Sequence, residues 1–259
     1  MLELMNSIPF YGKVFINGDD KNSVKLLAKI NRAVCTFGIK KKNNITAKSI
    51  KYIDGKKMQF DVIFSKRTYK VCTNLLGKHN VYNILSAISV CLHLGISMTD
   101  TIKSLSSFFG ARRRFDVYED IYINKYKPII IDDYGHHPTE IHSTLDTINK
   151  LYPGKKIVMI FQPHRFSRTK AYWQLFRDVF KNLDQIILLP TYSAGEKNNS
   201  YDSSFIYQKI KNKNKLLLNS IDMVKNVLRD INFNNSILVL QGAGDIKDIM
   251  TSLKRKHDR

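Results

Sequence analysis

The stretch KPIIIDDYGHHPTEIHSTLDTINKLYPGKKIVMIFQPH, residues 127–164, decides the fold. It reads as a buried strand, KPIIIDDYG, then a helix opening at Pro138, PTEIHSTLDTINKLY, then a second strand, KKIVMIFQPH. Proline suits a first helical turn, where its missing N–H would have had no partner. Strand, helix, strand is the repeating unit of a parallel sheet. The rhythm continues downstream. TKAYWQLFRDVFKNL is a helix, DQIILLPTYSAG a strand, SFIYQKIKNKN a helix and KLLLNS a short strand. SIDMVKNVLRDI is a helix, SILVLQGAGD a strand, and DIKDIMTSLKRKH the last helix. Residues 110–259 therefore predict a mostly parallel α/β domain with helices on both faces of its sheet.

Upstream the style differs. Residues 1–76 read mostly as strands. GKVFINGDD ends in the turn formers Asn17, Gly18 and Asp19, and SVKLLAKIN reads as a short helix. AVCTFGI, SIKYIDGKKMQFDVIFS and TYKVCTNL are rich in β-branched and aromatic residues, with Asp54-Gly55 as a hairpin signal. NVYNILSAISVCLHL, residues 80–94, has apolar residues at helical spacing, with Gly95 as its stop. A second helix runs from Thr99 to Phe109, capped by Ser97 or Thr99. The boundary falls near residue 110, which makes 1–109 a first, strand-rich domain.

Composition narrows the function classes. The chain has 259 residues, 43% hydrophobic, and a formal net charge of +20 from 42 Lys+Arg against 22 Asp+Glu. That apolar content supports real cores and excludes a disordered polycation. No run approaches the ~20 apolar residues of a membrane span, and MLELMNSIPF has no signal-peptide pattern. Cys35, Cys72 and Cys91 form no CxxC pair, so the expectation is a reducing cytoplasm without a disulfide framework or zinc site. Lys, Asn and Ile are spread along the whole chain, which favours compositional drift over a surface for nucleic acid.

In doubly wound sheets, ligands sit outside the carboxyl ends of the strands. Four predicted strands end in polar or glycine-rich tips here: Asp132 to Pro138, Gln162 to Arg168, Thr191 to Glu196, and Gly242 to Asp245. His164, Arg165 and Arg168 suit a carboxylate or phosphate. Asp132 and Asp133 suit a ribose hydroxyl pair, a metal ion or an amine, while Asp133 also suits a plain turn cap. His136-His137 is a poor metal pair, because adjacent residues seldom converge on one ion and no third ligand is evident. Asn80 and Asn83, three apart at a helix start, suit either an adenine edge or an N-cap.

These residues carry a resemblance. GKHNVYN (77–83), GARRRF (110–115), IDDYGHHPTEI (131–141), FQPHRFSRT (161–169), TYSAGE (191–196) and QGAGDI (241–246) resemble, in order and spacing, the Mur ligases. The similarity is nearest to the branch that joins L-alanine to UDP-N-acetylmuramate in peptidoglycan synthesis. PFYGKVFINGDD (9–20) looks like the second half of the family's central domain. The resemblance implies the C-terminal part of an ATP-binding central domain in 1–109 and a Rossmann-like C-terminal domain in 110–259. It implies ATP and Mg²⁺, phosphorylation of the muramyl carboxylate to an acyl phosphate, and attack by the amino group of L-alanine. His79, Asn80 and Asn83 would face ATP, Arg114 its phosphates and Asp133 its ribose. Tyr134, His136, His164, Arg165 and Arg168 would shape the L-alanine and acyl-phosphate side. The murein peptide ligase of cell-wall recycling is the rival within the family, although FQPHR is not expected there. A non-catalytic remnant and a basic nucleic-acid-binding protein are the rivals outside the reaction.

One departure matters. The family pattern includes a glycine-rich loop ending in Gly-Lys-Thr/Ser that cradles the phosphates. The Gly-Lys pairs at 12–13, 55–56, 77–78 and 154–155 are followed instead by Val, Lys, His and Lys. The family's UDP-sugar domain and metal-positioning residues would precede Met1. The expectation is therefore a chain inactive alone, paired with a separate polypeptide carrying the missing half, or else a shortened remnant.

Overall fold

A computed structural model describes residues 1–40 and 42–257. The chain forms two compact units, Met1–Gly110 and Ala111–Arg259. Each is mixed α/β, the class expected from the sequence.

The first unit holds a five-stranded sheet in the order β1-β2-β3-β4-β5. Its strands are β1 (Lys13–Asn17), β2 (Ala33–Gly38), β3 (Ile45–Ile53), β4 (Lys57–Phe64) and β5 (Arg67–Thr73). β1, β2 and β3 are parallel, and β3, β4 and β5 form an antiparallel meander. Asp54 and Gly55 both take positive φ (50° and 65°), the backbone of the tight turn their dipeptide signals. The next turn does the same with Ser65 and Lys66 and no glycine, so its sequence carries no such signal. Two short helices, α1 (Leu2–Ser7) and α2 (Lys21–Val24), flank β1. α1 falls where strands were expected, and α2 is shorter than the helix read over SVKLLAKIN. α3 (Lys78–His93) presents Val81, Ile84, Leu85 and Ile88 as a buried stripe at helical spacing, packed on β1, β2 and β3. α4 (Met98–Ser107) takes its cap from Ser97 and packs on β5.

The second unit holds a six-stranded sheet in the order β10-β9-β8-β11-β7-β6. Its strands are β6 (Asp116–Tyr118), β7 (Ile129–Asp133), β8 (Lys156–Phe161), β9 (Gln185–Leu188), β10 (Lys215–Leu217) and β11 (Ser236–Gln241). All pairings are parallel except β6 with β7, and β6 is the one strand the sequence reading missed. Three residues beside a run of turns give too short a pattern to read. The helices are α5 (Pro138–Leu151), α6 (Phe166–Phe180), α7 (Ser203–Lys209), α8 (Val224–Asp230) and α9 (Lys247–His257). Every residue of β11, between β8 and β7, is buried, as expected for a parallel strand covered on both faces. One face packs Val158, Ile160, Leu238 and Leu240 into the core. On the other, Phe161 meets Phe176 and Phe180 at ring separations of 5.4 and 5.0 Å. α6 begins at Phe166, earlier than the sequence suggested, so Arg168 stands on its first turn rather than in a loop. Among the described residues no helix is long and apolar enough to cross a membrane.

Gly242, just past β11, has φ +149°, and a Cβ there would meet the Gln162 carbonyl oxygen at 2.9 Å. Gly242→Ala is expected to destabilise the second unit by about 2 kcal/mol, read in urea unfolding by the fluorescence of Trp173, the only tryptophan. An unchanged midpoint would show that the loop relaxes freely.

Candidate functional site

The carboxyl ends of β7, β8, β9 and β11 bring the polar tips together. Asp133 closes β7 and is 5% exposed. Its Oδ1 accepts hydrogen bonds from Gly135 N–H (2.8 Å) and Gln241 Nε2 (2.6 Å), and its Oδ2 from Phe115 N–H (3.0 Å). Gln241 Nε2 also donates to the Gly135 carbonyl at 2.7 Å. Both carboxylate oxygens of the expected ribose ligand thus hold three chain segments in place. Asp132 is equally committed, receiving Arg113 Nε at 3.0 Å, while Arg113 Nη2 donates to the Gly242 carbonyl at 2.7 Å. Burial pushes the Asp132 carboxyl above its ordinary value, with Arg113 pulling the other way. Arg113 went unnoticed in the sequence because three arginines stand in a row. Only its place opposite Asp132 distinguishes it. Arg113 and Arg114 both lie over the Tyr134 ring, 5.7 and 5.9 Å from its centroid.

The adjacent histidines divide. His137 is the N-cap of α5: its Nδ1 accepts from Thr139 N–H at 3.2 Å. Glu140 Oε2 accepts from the backbone N–H of His136 (2.9 Å) and His137 (3.0 Å), completing a capping box. Burial works against ionisation of Glu140, but those two N–H groups outweigh it and hold its carboxyl low. His136 turns the other way. Its ring lies 5.0 Å from His164, and His164 stacks on Tyr192 at 5.5 Å. Arg168 Nη1 donates to the His164 carbonyl at 3.0 Å. Arg165, with φ 70°, donates its N–H to the Tyr192 carbonyl at 2.8 Å. Its exposed guanidinium has no hydrogen bond or ion pair among the described residues. Glu196, read only as part of a motif, accepts from Ser167 N–H (3.0 Å) and Oγ (2.5 Å) and so caps α6 from another loop. The result is a cluster of Tyr134, His136, His164, Arg165 and Arg168 with an exposed cation at its rim. It suits a small carboxylate carrying a reacting group.

In the first unit, Asn80 is buried and donates to the Leu76 carbonyl at 2.7 Å. Its Oδ1 accepts from Asn83 Nδ2 at 3.1 Å. The amide with capacity left for an adenine edge is therefore the exposed Asn83, with Asn80 orienting it. His79 stands on the same first helical turn. Asp19, read only as a turn former, is a hub: it accepts from Ile39 N–H (2.6 Å), Asn43 Nδ2 (2.9 Å), Tyr82 Oη (3.0 Å) and Lys40 N–H (3.2 Å). Burial opposes its ionisation, but these donors prevail and hold its carboxyl below the usual value. Burial and the Asp19 charge push the Tyr82 hydroxyl up to about 12. Among the described residues no three His, Cys, Asp or Glu side chains are grouped to hold a metal.

Comparison with known proteins agrees with this geometry. Residues 1–91 match the Mur ligase middle domain, and residues 113–244 match the Mur ligase glutamate ligase domain. The chain belongs to the Mur ligase family. It is 36% identical over 254 residues to the UDP-N-acetylmuramate–L-alanine ligase of Vesicomyosocius okutanii, covering 96% of this chain and 54% of that protein. It is 33% identical to the ligase of the same name from Hydrogenovibrio crunogenus, covering 98% of this chain and 56% of the other. The crystal structure of the UDP-N-acetylmuramate–alanine ligase of Thermotoga maritima superposes with a TM-score of 0.70 at 25% identity, covering 95% of this chain and 51% of that one. This Mur ligase chain spans about half the length of the curated relatives it matches, aligning with their C-terminal part.

The two site histidines give a pH signature. Burial holds both His136 and His164 below the ordinary value of 6.5, helped at His164 by the His136 charge and at both by Arg168. Below that value the unfolded chain binds protons that the folded chain refuses, so stability rises with pH through this window and is lost on acidification. The melting temperature of the second unit is expected to fall from neutral to mildly acid pH, and to fall less in a His136→Gln/His164→Gln double variant. Equal acid sensitivity in both proteins would remove these rings as the cause.

Proposed function

We propose that this chain is the amino-acid-adding portion of a Mur ligase that joins L-alanine to UDP-N-acetylmuramate. The observation that carries the reading is the cluster at the sheet end, where Arg165 and Arg168 stand beside two neutral imidazoles. A planar guanidinium matches a carboxylate bidentately. Arg165, free and exposed, grips the amino-acid carboxylate. Arg168, anchored on the His164 carbonyl, sets its depth. Tyr134, His136 and His164 then bracket the amino group. The 36% identity to a ligase named for these substrates supports that choice of amino acid.

The same reading assigns the rest. Residues 1–109 are the C-terminal part of the ATP-binding central domain, and 110–259 are the C-terminal domain. Asn83 reads the adenine edge beside His79 and Asn80, and Arg114 faces phosphate. Asp133 is a positioning residue, since its bonds are all internal. Bound ATP would supply the phosphoryl group that activates the muramyl carboxylate. The 259 residues hold neither a Gly-Lys-Thr/Ser cradle nor a metal-ligand group among the described residues. Phosphoryl transfer depends almost wholly on such positioning and charge, so the cradle and the UDP-sugar grip come from outside these residues.

Mixed alone with ATP, Mg²⁺, UDP-N-acetylmuramate and L-alanine, the chain is expected to form no amide. Supplied with the N-terminal half of the Vesicomyosocius okutanii relative, it is expected to do so. In that assembly Arg165→Ala should raise KM for L-alanine at least about tenfold, the loss of one charge-assisted contact, and leave KM for ATP unchanged. An unaltered KM for L-alanine would overturn the role of Arg165. Product from the chain alone would overturn the division of labour.

A further inference from the structure

Which ring nitrogen carries the proton decides what a histidine can do. Here the partners settle it. His136 Nδ1 lies 3.1 Å from the Tyr134 carbonyl oxygen. A carbonyl only accepts, so Nδ1 carries the hydrogen, and in the neutral ring Nε2 keeps a bare lone pair. His164 Nδ1 lies 3.1 Å from Arg168 Nη1. A guanidinium only donates, so this Nδ1 is the acceptor and the hydrogen sits on Nε2. The same Nη1 also donates to the His164 carbonyl, which holds the guanidinium to ring and backbone together. The two rings are neighbours, 5.0 Å apart at 40°.

We propose that His136 and His164 are locked in opposite neutral tautomers, so that His136 Nε2 takes the proton from the incoming amino group and His164 Nε2–H donates to the oxygen of the reacting carbonyl. The proposal rests on the amino-acid-adding reading above. An ammonium has no lone pair with which to attack. Transfer of one proton to His136 Nε2 frees that pair, which forms the C–N bond to the activated carbonyl carbon. The carbonyl π electrons move onto oxygen, where the His164 N–H meets the growing charge. As they return, the bond from carbon to its leaving group breaks and its electron pair departs with that group. The second amine proton goes to the departing anion.

The surroundings keep both rings neutral until that moment. Burial opposes an imidazolium most at both rings, joined at His136 by Arg168 and His137 and at His164 by His136, Arg168 and Arg165. Glu140 and Glu196 favour one, but Glu140 is bonded to the N–H groups of His136 and His137 and Glu196 to Ser167. His137 itself faces its own cap. Tyr134 and Tyr192 flank the pair. A neutral base near the Arg168 guanidinium also meets an amine whose proton the same cation loosens.

The test has two arms. Imidazole nitrogen NMR of the chain in mildly alkaline buffer is expected to show His136 protonated on Nδ1 and His164 on Nε2. Arg168→Met should release the preference of His164 and leave His136 unchanged. Identical or reversed tautomers would overturn the proposal. In the assembly with the relative's N-terminal half, amide replacements separate the roles. An asparagine amide overlays Nδ1, and a glutamine amide overlays Nε2. His136→Asn keeps the bond to the Tyr134 carbonyl and removes the base, so kcat should fall about 100-fold or more with KM for L-alanine little moved. His164→Gln restores a donor at Nε2 and should stay within about tenfold of wild type, whereas His164→Asn should lose about 100-fold. Equal losses in both His164 variants, or an active His136→Asn, would overturn the roles. No synthesis by wild type in any pairing would overturn the ligase reading and the roles together, and the NMR arm would still decide the tautomers.

Discussion

A buried carboxylate must find its hydrogen-bond donors inside the protein, and Asp133 finds three at once. The Phe115 N–H, the Gly135 N–H and the Gln241 amide each come from a different segment of the second unit. Leaving any of them unpaired in the interior would cost about 1–3 kcal/mol. The carboxylate therefore ties the turn before β6, the turn after β7 and the end of β11 into one rigid edge. Asp132 repeats the device with Arg113 and, through it, the Gly242 carbonyl. The site side chains project from this edge. Tyr134 and His136 are aimed by the Asp133 turn, and Arg114 by its neighbour Arg113, whose backbone carbonyl accepts the Tyr134 N–H at 2.6 Å.

This arrangement separates two jobs that adjacent residues would otherwise share. In the arginine and histidine pairs one member builds and the other is presented, whereas both aspartates build. Asp132 holds Arg113 while Asp133 holds the turns. Arg113 is half-buried and pairs with Asp132 while Arg114 is exposed. His137 caps a helix while His136 faces the cluster. Side chains of consecutive residues in an extended turn point apart, so such doublets arise naturally where a strand gives way to a helix. The doublet in the sequence is then a mark of a turn with one inner and one outer face. It is not a mark of two ligands on one ion.

Much of the architecture was readable for a physical reason. The inner strands of the second unit, β7, β8, β9 and β11, carry continuous apolar runs because both faces are covered, and α5 and α7 open on a proline and an acid cap. The gathering of the polar tips was readable too, since they lie where parallel strands end. The assignment of work within it was not. Arg113 is indistinguishable from Arg112 and Arg114 until its partner Asp132 is seen across the sheet. Asp19 looks like any turn residue, because its four donors come from positions 20 to 63 residues away. β6 is three residues long and gains its identity only from pairing with β7.

The backbone explains a further part of what sequence conceals. Arg113 and Phe115 (both φ 62°), Arg165 (φ 70°) and Ala194 (φ 50°) take left-handed conformations around the strand ends, with Gly242 beside them. For side chains of this size each such residue costs about 1–3 kcal/mol. It persists only where its surroundings hold it. They do so here: Arg113 N–H donates to Asp116, Phe115 N–H to Asp133 and Arg165 N–H to the Tyr192 carbonyl. A glycine at these positions would have announced the turn and removed the strain, but it would also have removed the guanidinium. Arg165 is the clearest case. Its strained backbone places an exposed cation at the entry to α6, where it adds to burial, the His136 charge and Arg168 in holding the His164 imidazole below its ordinary value. The net charge of +20 says nothing of this. What matters is where a few cations are held, Arg165 at the entry to α6 and Arg168 on the His164 carbonyl.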